Sequence, residues 1–305
     1  MNRPLVSIIA VCYNHSRYAI TTLESIVNQS YENIELIIMD DCSTDTSVAV
    51  IQDWIDKNNY DYKFVAHKQN QGLCKTLNEA LEIAQGEFIQ IISCDDILME
   101  NKIELQANLF NKLPSNYGVL HSNLIYVDEL GNKLNRKENK KRAKFSGFYY
   151  YLLLESNQIA APTLLYKRQA LFDVGKFDER YSYEDLDILL KISKKFKIEY
   201  LDMPLIKYRI LQSSLFRSRG LRGTMDRLQI LFRNIEDKRS KNIVRKNNIK
   251  TSKAYLKKLK VNGDKAKYIK FFLRSLSYIP LNHSYDILNY FKYFWRTLKQ
   301  KHQNT

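Results

Sequence analysis

The chain has 305 residues, 45% apolar and 12% aromatic, with a formal charge of +15. That composition excludes a disordered chain, and no apolar run approaches the roughly 20 residues needed to span a bilayer. The basic excess is confined to the last third: residues 211–305 hold 23 Lys/Arg against five Asp/Glu, which marks a composition boundary near 210 and suggests an anionic partner there. Cys12, Cys42, Cys74 and Cys94 are scattered, with no C-x-x-C pair. Disulfide and metal-cluster frameworks are therefore disfavoured, and a reducing cytoplasm is expected.

The N-terminal MNRPLVSIIAVCYN has one Arg, a short apolar run and no small-residue cleavage site, so it reads as a first strand and not as a signal peptide. Val6–Val11 is predicted as a strand and Tyr18–Gln29 as a helix with Ala19, Leu23, Ile26 and Val27 on one face. Glu35–Met39 is the second strand. Ser43-Thr44-Asp45 offers N-cap residues for a helix over Ser47–Lys57. Tyr62–Ala66 is a third strand, Leu73–Ala84 a helix closed by Gly86, and Glu87–Ile92 a fourth strand. Short apolar strands alternating with helices of about a dozen residues predict βαβ units and a mainly parallel sheet. Beyond residue 100 the pattern changes. Gly118–Asp128 is a strand followed by a turn at Glu129–Asn132, and residues 131–144 carry seven basic side chains and one acidic, as an exposed loop would. Ala161–Tyr166 is predicted as a strand, Asp185–Lys197 as a helix and Ile198–Leu201 as a strand end. From about 215 the sequence is helical in period.

In an open α/β sheet, ligands bind at the carboxyl ends of the strands. The first strand ends in Cys12-Tyr13-Asn14-His15, the second in Asp40-Asp41-Cys42-Ser43, and the fourth in Ser93-Cys94-Asp95-Asp96. One edge thus receives an aromatic ring and four carboxylates. A hard cation, Mg(II) or Mn(II), would relieve their repulsion, because it is held by one or two carboxylates together with substrate phosphates. Taken alone, Asp95-Asp96 would serve equally as N-caps for a helix starting near Met99.

VSIIAVCYN, ELIIMDDCSTD, NQGLCKTLNEALEIAQGEFI and SCDD resemble, in order and spacing, the strand-YN, DDGSTD, N-x-G…N…A-x-G and D-x-D-type motifs of family 2 glycosyltransferases. The resemblance covers about residues 4–212 and implies a Rossmann-like GT-A fold with a mainly parallel central sheet and flanking helices. It implies Val11, Tyr13, Asp41, Lys75 and Asp95 at the nucleotide, with Tyr13 near the base, Asp41 on its imide edge and Asp95 near the ribose. Asp96 would be the metal ligand on the diphosphate. A uracil-type base offers an imide N–H to a carboxylate and a ring for an aromatic side chain. Asn70, Gly72, Lys75 and Asn78 would face the nucleotide, Lys75 reaching phosphate or solvent.

FDVGKFDERYSYEDLDILLKI resembles the family's G-x-F-D-E…E-D-x-D-L-x-x-R region, with Lys191 where Arg is common. This makes Asp185 the counterpart of the general base of inverting members, at a helix N-terminus that favours its ionised form. Asp40, Thr163, Glu184 and Arg209 are assigned to the donor and acceptor pocket. Relatives commonly follow with Y-R-x-H, but here Leu211 stands at the His position, so metal dependence is open. His15 and His121 are alternative ligands, although each reads better as an ordinary partly buried histidine.

The expected organisation is a catalytic domain over 1–212 and a basic, aromatic-rich helical extension over 213–305. YIKFFLRSLSYI and YFKYFWRTLKQK look like basic amphipathic helices, suited either to an anionic membrane surface or to packing on the core. No helix-turn-helix, zinc or RNP-type signature supports nucleic acid as a partner. The expected activity is metal-assisted, inverting transfer of a hexosyl-type sugar from a nucleotide sugar, UDP-linked, to a saccharide or lipid-linked acceptor. Its setting would be capsule, lipopolysaccharide or related surface-glycan assembly, in the cytoplasm or at the inner face of the membrane. One rival is a nucleotidyltransferase, against which CYNHSRY lacks the expected Gly. The other is a basic binding protein without catalysis, against which Asp41, Asp96 and Asp185 are all present.

Overall fold

The computed structural model describes residues 3–58, 62–135, 146–211, 220–247 and 251. The chain divides into two compact units, Met1–Ser218 and Arg219–Thr305.

The first unit begins with β1 (Val6–Cys12), α1 (Ala19–Val27), β2 (Ile34–Asp40), α2 (Ser47–Asn58), β3 (Lys63–Ala66), α3 (Leu73–Ile83) and β4 (Phe88–Ser93). β1 is buried along its whole length and β2 over its last five residues, as strands covered on both faces are. α1 buries Ala19, Thr22, Leu23 and Ile26, and α3 buries Leu77, Ala80 and Leu81, the stripes expected of helices laid on a sheet. β1 pairs in parallel with both β2 and β4, placing Cys12 opposite Asp40 and Val11 opposite Ser93. The three strand ends therefore meet at one edge.

The unit continues with β5 (Ile97–Leu98), α4 (Lys102–Phe110), β6 (Tyr117–Val127), α5 (Tyr150–Glu155), a 3-10 turn (Ala161–Thr163), β7 (Leu165–Lys167), α6 (Arg168–Asp173), α7 (Asp185–Lys195) and β8 (Lys197–Arg209). The described strands form one eight-stranded sheet in the order β3-β2-β1-β4-β7-β6-β8-β5. The β1–β2, β1–β4, β2–β3 and β6–β8 pairings are parallel. β7 joins the halves by running antiparallel to both β4 and β6, and β5 runs antiparallel to β8.

Several sequence expectations change. Residues 161–166 are not one strand, because Pro162 opens a 3-10 turn before β7. The strand expected at 198–201 runs on to Arg209, with an irregular register in which Asn123 lies opposite Pro204. A proline donates no ladder hydrogen bond, which accounts for the bulge there. Asp95 and Asp96 do not cap a helix starting near Met99, since β5 intervenes and α4 begins at Lys102. Gly86 is not a left-handed helix cap either. α3 ends on Ala84 in an extended conformation, and a Cβ on Gly86 would lie 2.4 Å from the Ser7 backbone nitrogen. Glycine is required there for close approach of two chain segments.

In the second unit, α8 (Gly220–Arg233) is followed by a helical run over 238–247. The latter is capped by Asp237, whose Oδ1 accepts the Ser240 N–H at 2.6 Å. The basic aromatic segments at 268–279 and 290–301, and residues 136–145 of the basic loop, lie outside the described residues.

Candidate active site at the edge of the parallel strands

The first two strand ends are tied together by Asn14 and Asp45. Asn14 adopts a left-handed φ of 57°, a conformation its short polar side chain tolerates. Its Oδ1 accepts the Thr44 N–H at 2.7 Å, while its own N–H donates to Ser43 Oγ at 2.8 Å. Asp45 caps α2 through Ser47 and accepts the Ser16 N–H at 3.1 Å. Burial raises the Asp45 pKa, but the Ser47 and Ser16 hydrogen bonds outweigh it and leave the carboxylate below its ordinary value. Tyr13, half-buried, is left at the rim, and Val11 is buried one turn of the pleat behind it.

The adjacent aspartates of β2 have different tasks. Asp40 is fully buried, and its two oxygens accept the Ser43 N–H at 2.7 Å and the Ser43 hydroxyl at 2.6 Å. It holds the turn that follows β2. Asp41 faces the 67–72 segment. Its Oδ1 accepts the Gln71 N–H at 2.7 Å and sits 3.2 Å from His67 Nδ1, while its Oδ2 accepts the Gly72 N–H at 2.9 Å. A carboxylate oxygen has two acceptor positions, so among the described residues one position on Oδ2 stays open. His67 Nε2 lies 2.8 Å from Glu79, extending the brace behind Asp41 toward the surface. Lys75 is exposed in the first turn of α3. Asn78 does not face the edge: its amide bonds both the carbonyl and the N–H of Phe177, at 2.9 and 3.0 Å, and pins the GKFDE segment to α3.

Asp95 and Asp96 turn in opposite directions. The Asp95 side chain is 16% exposed, with His15 Nε2 at 3.8 Å. Asp96 is buried, and its Oδ1 accepts the Arg209 N–H at 2.9 Å. Among the described residues no other hydrogen bond reaches that carboxylate. Burial, and then the Asp95 charge, push the Asp96 pKa well up, against smaller lowering by Arg209. The Arg209 guanidinium is itself buried over the Tyr18 ring at 4.6 Å and donates to the carbonyls of Asp95, Asp128 and Glu129. It clamps the Asp95-Asp96 turn through its main-chain N–H and its guanidinium. Leu211 is buried.

α7 brings the third group of residues. Glu184 is its N-cap residue and Asp185 its first helical residue. Asp185 Oδ1 accepts the Leu186 N–H at 2.7 Å, and Oδ2 accepts the Asn157 side-chain amide at 2.8 Å. Asn157 carries no local sequence signal. Two phenols lie within reach of the Glu184 charge, Tyr166 buried and Tyr208 partly buried. Burial raises the Tyr208 pKa first, with Asp96, Asp95 and Glu184 adding to it, and burial raises that of Tyr166, with Asp185 and Glu184 adding to it. Tyr208 thus senses the Asp95-Asp96 turn and the α7 N-terminus together. Thr163 is buried, with its hydroxyl donating to the Ala160 carbonyl at 2.7 Å. His121 is buried on Tyr149, at 3.0 Å, away from the carboxylates.

A model of glycosyl transferase family 2 matches residues 7–172, more than half of the chain. The chain belongs to glycosyl transferase family 2. Over 171 residues it is 36% identical to an uncharacterized glycosyltransferase of Haemophilus influenzae, covering 56% of this chain and 65% of that one. It thus spans a little under two thirds of that relative. It is 27% identical over 198 residues to the poly-beta-1,6-N-acetyl-D-glucosamine synthase of Staphylococcus epidermidis, covering 61% of this chain and 45% of that one. The fold resembles residues 1–349 of S. aureus TarS, crystallised in complex with UDP, at a TM-score of 0.68 and 19% identity over 90% of this chain and 81% of that one. It also resembles the mannosyltransferase PcManGT from Pyrobaculum calidifontis, in complex with GDP-Man and Mn2+, at a TM-score of 0.61 and 16% identity over 98% of this chain and 87% of that one. The family 2 domain therefore has the GT-A architecture that its motifs imply.

Among the described residues, no three His, Cys, Asp or Glu side chains of this family 2 domain cluster as metal ligands. The donor set suits a cation that takes one or two carboxylates and completes its shell with phosphate and water. The buried Asp96 carboxylate, its charge opposed by burial and by Asp95, fits such an ion. No described helix is long and apolar enough to cross a membrane.

Proposed function

We propose that this family 2 domain transfers a sugar, with inversion, from a UDP-linked donor to a saccharide or lipid-linked saccharide acceptor in surface-glycan assembly. The observation that carries the reading is a pair of carboxylates in opposite settings. Asp96 is buried with one acceptor contact, and Asp185 is held by a donor on each oxygen. These two donors orient the Asp185 carboxylate, as a general base must be oriented to take a proton. The open position on Asp41 Oδ2 would take the imide N–H of the base, and Tyr13 would cover its ring. Asp95 would face the ribose. Asp96 would hold Mn(II) or Mg(II), which neutralises the departing diphosphate when bound. Asp185 removes the proton from the acceptor hydroxyl as that oxygen attacks the anomeric carbon, on the face opposite the nucleotide. The nucleotide in the TarS complex, and the Mn2+ in the PcManGT complex, support the donor and the cation. The S. epidermidis synthase supports a glycan product.

Asp96→Ala and Asp185→Asn, assayed for UDP-sugar turnover with Mn(II), should each lose at least about a hundredfold in rate. Unchanged turnover in both overturns the mechanism, and retention of anomeric configuration in the product overturns inversion. The charge of residues 211–305, 23 basic against five acidic, supports docking on an anionic membrane surface, where a lipid-linked acceptor would lie. Truncation after residue 250 should weaken binding to phosphatidylglycerol-containing vesicles, and equal binding retires that part.

A further inference from the structure

The Asp41 carboxylate presents little surface: its side chain is 6% exposed. Burying such a charge is costly unless donors surround it. The Asp41 N–H donates to the Cys12 carbonyl at 3.0 Å, and the Asp41 carbonyl accepts the Asn70 side-chain amide at 2.9 Å. Its backbone is thereby fixed between β1 and the loop after β3. The carboxylate is fixed separately, by the Gln71 and Gly72 N–H groups and by the His67 ring.

His67 stands outside the motifs that mark this edge in the sequence. Its N–H donates to the Asp40 carbonyl at 2.9 Å, next to the last β2–β3 pair, and its side chain is 5% exposed. Nδ1 lies 3.2 Å from Asp41 Oδ1, and Nε2 lies 2.8 Å from Glu79 Oε2 on α3. An ionised carboxylate only accepts, so the Asp41 contact places a hydrogen on Nδ1. The ring is held at both nitrogens, and turning it over would set carbon where each nitrogen now stands. Together with the Gln71 N–H at 2.7 Å, the His67 contact fills both acceptor positions of Oδ1. Oδ2 takes only the Gly72 N–H among the described residues, which leaves it as the oxygen with room for a ligand donor.

We propose, resting on the reading in which Asp41 meets the base, that His67 is a positioning residue that selects a uracil-type base over a cytosine-type one. The two bases differ where Asp41 would touch them. Uracil carries a hydrogen on N3, whereas cytosine has a lone pair there and an amino group beside it. With Oδ1 closed, the open position on Oδ2 takes the uracil N3–H and sets an acceptor against the cytosine lone pair. Without the His67 donor, each carboxylate oxygen has an open position. The carboxylate is then free to turn toward the cytosine amino group, and the discrimination falls. Glu79 serves at one remove, by holding the ring that holds Asp41.

UDP and CDP carry the same diphosphate, so the ratio of their dissociation constants, each measured with Mn(II), isolates the base. Two substitutions separate the ring nitrogens. In His67→Asn the side-chain amide stands near the place of Nδ1, and in His67→Gln near that of Nε2. Wild type should prefer UDP at least about thirtyfold. His67→Gln should lower that preference about tenfold, and His67→Asn less than about threefold. Glu79→Ala, at a side chain 37% exposed, leaves the buried packing in place and should lower the preference about threefold by freeing the ring. Equal losses in His67→Asn and His67→Gln would make His67 a packing residue and overturn the proposal. An unchanged ratio in His67→Gln, or in Glu79→Ala, would also overturn it. Wild-type protein that binds UDP and CDP equally tightly would overturn the base contact of Asp41 itself, and the proposal with it.

Discussion

Asn157 donates its side-chain amide to Asp185 Oδ2 at 2.8 Å, and the Leu186 N–H donates to Oδ1 at 2.7 Å, so the carboxylate is oriented from both sides. Asn157→Leu removes one of these donors without touching Asp185. The expected result is a fall in kcat of about ten- to a hundredfold with donor KM little changed, against roughly a thousandfold or more for Asp185→Asn. Losing a donor to the ionised form makes a carboxylate a stronger base. The acid limb of the kcat profile should therefore move to higher pH in Asn157→Leu. An unmoved limb, or an equal effect on KM, would leave Asn157 a purely structural residue.

Gly86 meets Ser7 too closely for any side chain. A Cβ there would lie 2.4 Å from the Ser7 nitrogen and 2.6 Å from its Oγ. That Oγ accepts the Gly86 N–H at 2.8 Å and donates to Glu35 at 2.5 Å. Gly86→Ala should destabilise the first unit by about 2–4 kcal/mol, read as a lower urea midpoint. A loss under about 0.5 kcal/mol would show that the strand ends yield without strain.

Lys102 is fully buried, and among the described residues its ammonium finds only amide oxygens, those of Gln90 and Gln106. Burial pushes its pKa well below 10.5. The unfolded chain then binds the extra proton, so stability rises with pH between the lowered value and 10.5, by at most about 1.4 kcal/mol per pH unit. Denaturant melts of wild type between pH 7 and 9.5 should show that rise, and Lys102→Met should lack it. Parallel curves for the two proteins would refute the assignment. The same two glutamines donate to the carbonyls of Pro162 and Thr163, so this network also sets the position of the 3-10 turn.

Cys42 stands in the left-handed region at φ 64°, in a loop whose family counterpart carries glycine. A side chain there costs about 1–2 kcal/mol against glycine in the same conformation, part of which the flexibility of glycine in the unfolded chain offsets. Cys42→Gly should raise stability by roughly 0.5–1 kcal/mol while leaving the Asn14–Ser43 staple intact. A drop in melting temperature would mean that the thiol makes a contact worth more than the strain.

Much of the fold was legible in the residues. VSIIAV, ELIIM and FIQII are apolar without alternation, which only strands covered on both faces require, and the helices between them repeat their apolar positions every three to four residues. The placement of three polar strand ends at one edge follows from parallel pairing, and the family motifs lie there. The break at Pro162 and the length of β8 were harder to read, because a three-residue turn and a bulged strand have no period to detect.

The sequence by itself determined the α/β alternation, the edge at which chemistry is possible and the residue types gathered there, because local apolar period and strand polarity are properties of short segments. Only the tertiary structure gave Asp40 and Asp41 different partners, set the Arg209 guanidinium against the Asp95 carbonyl, and brought Asn157 to Asp185. Those outcomes rest on partners far apart in the chain: Arg209 bonds Asp96 across 113 positions and Asn157 bonds Asp185 across 28. Which donor meets which acceptor is decided when the sheet closes and buries them, since a buried polar group must find a partner wherever the fold supplies one.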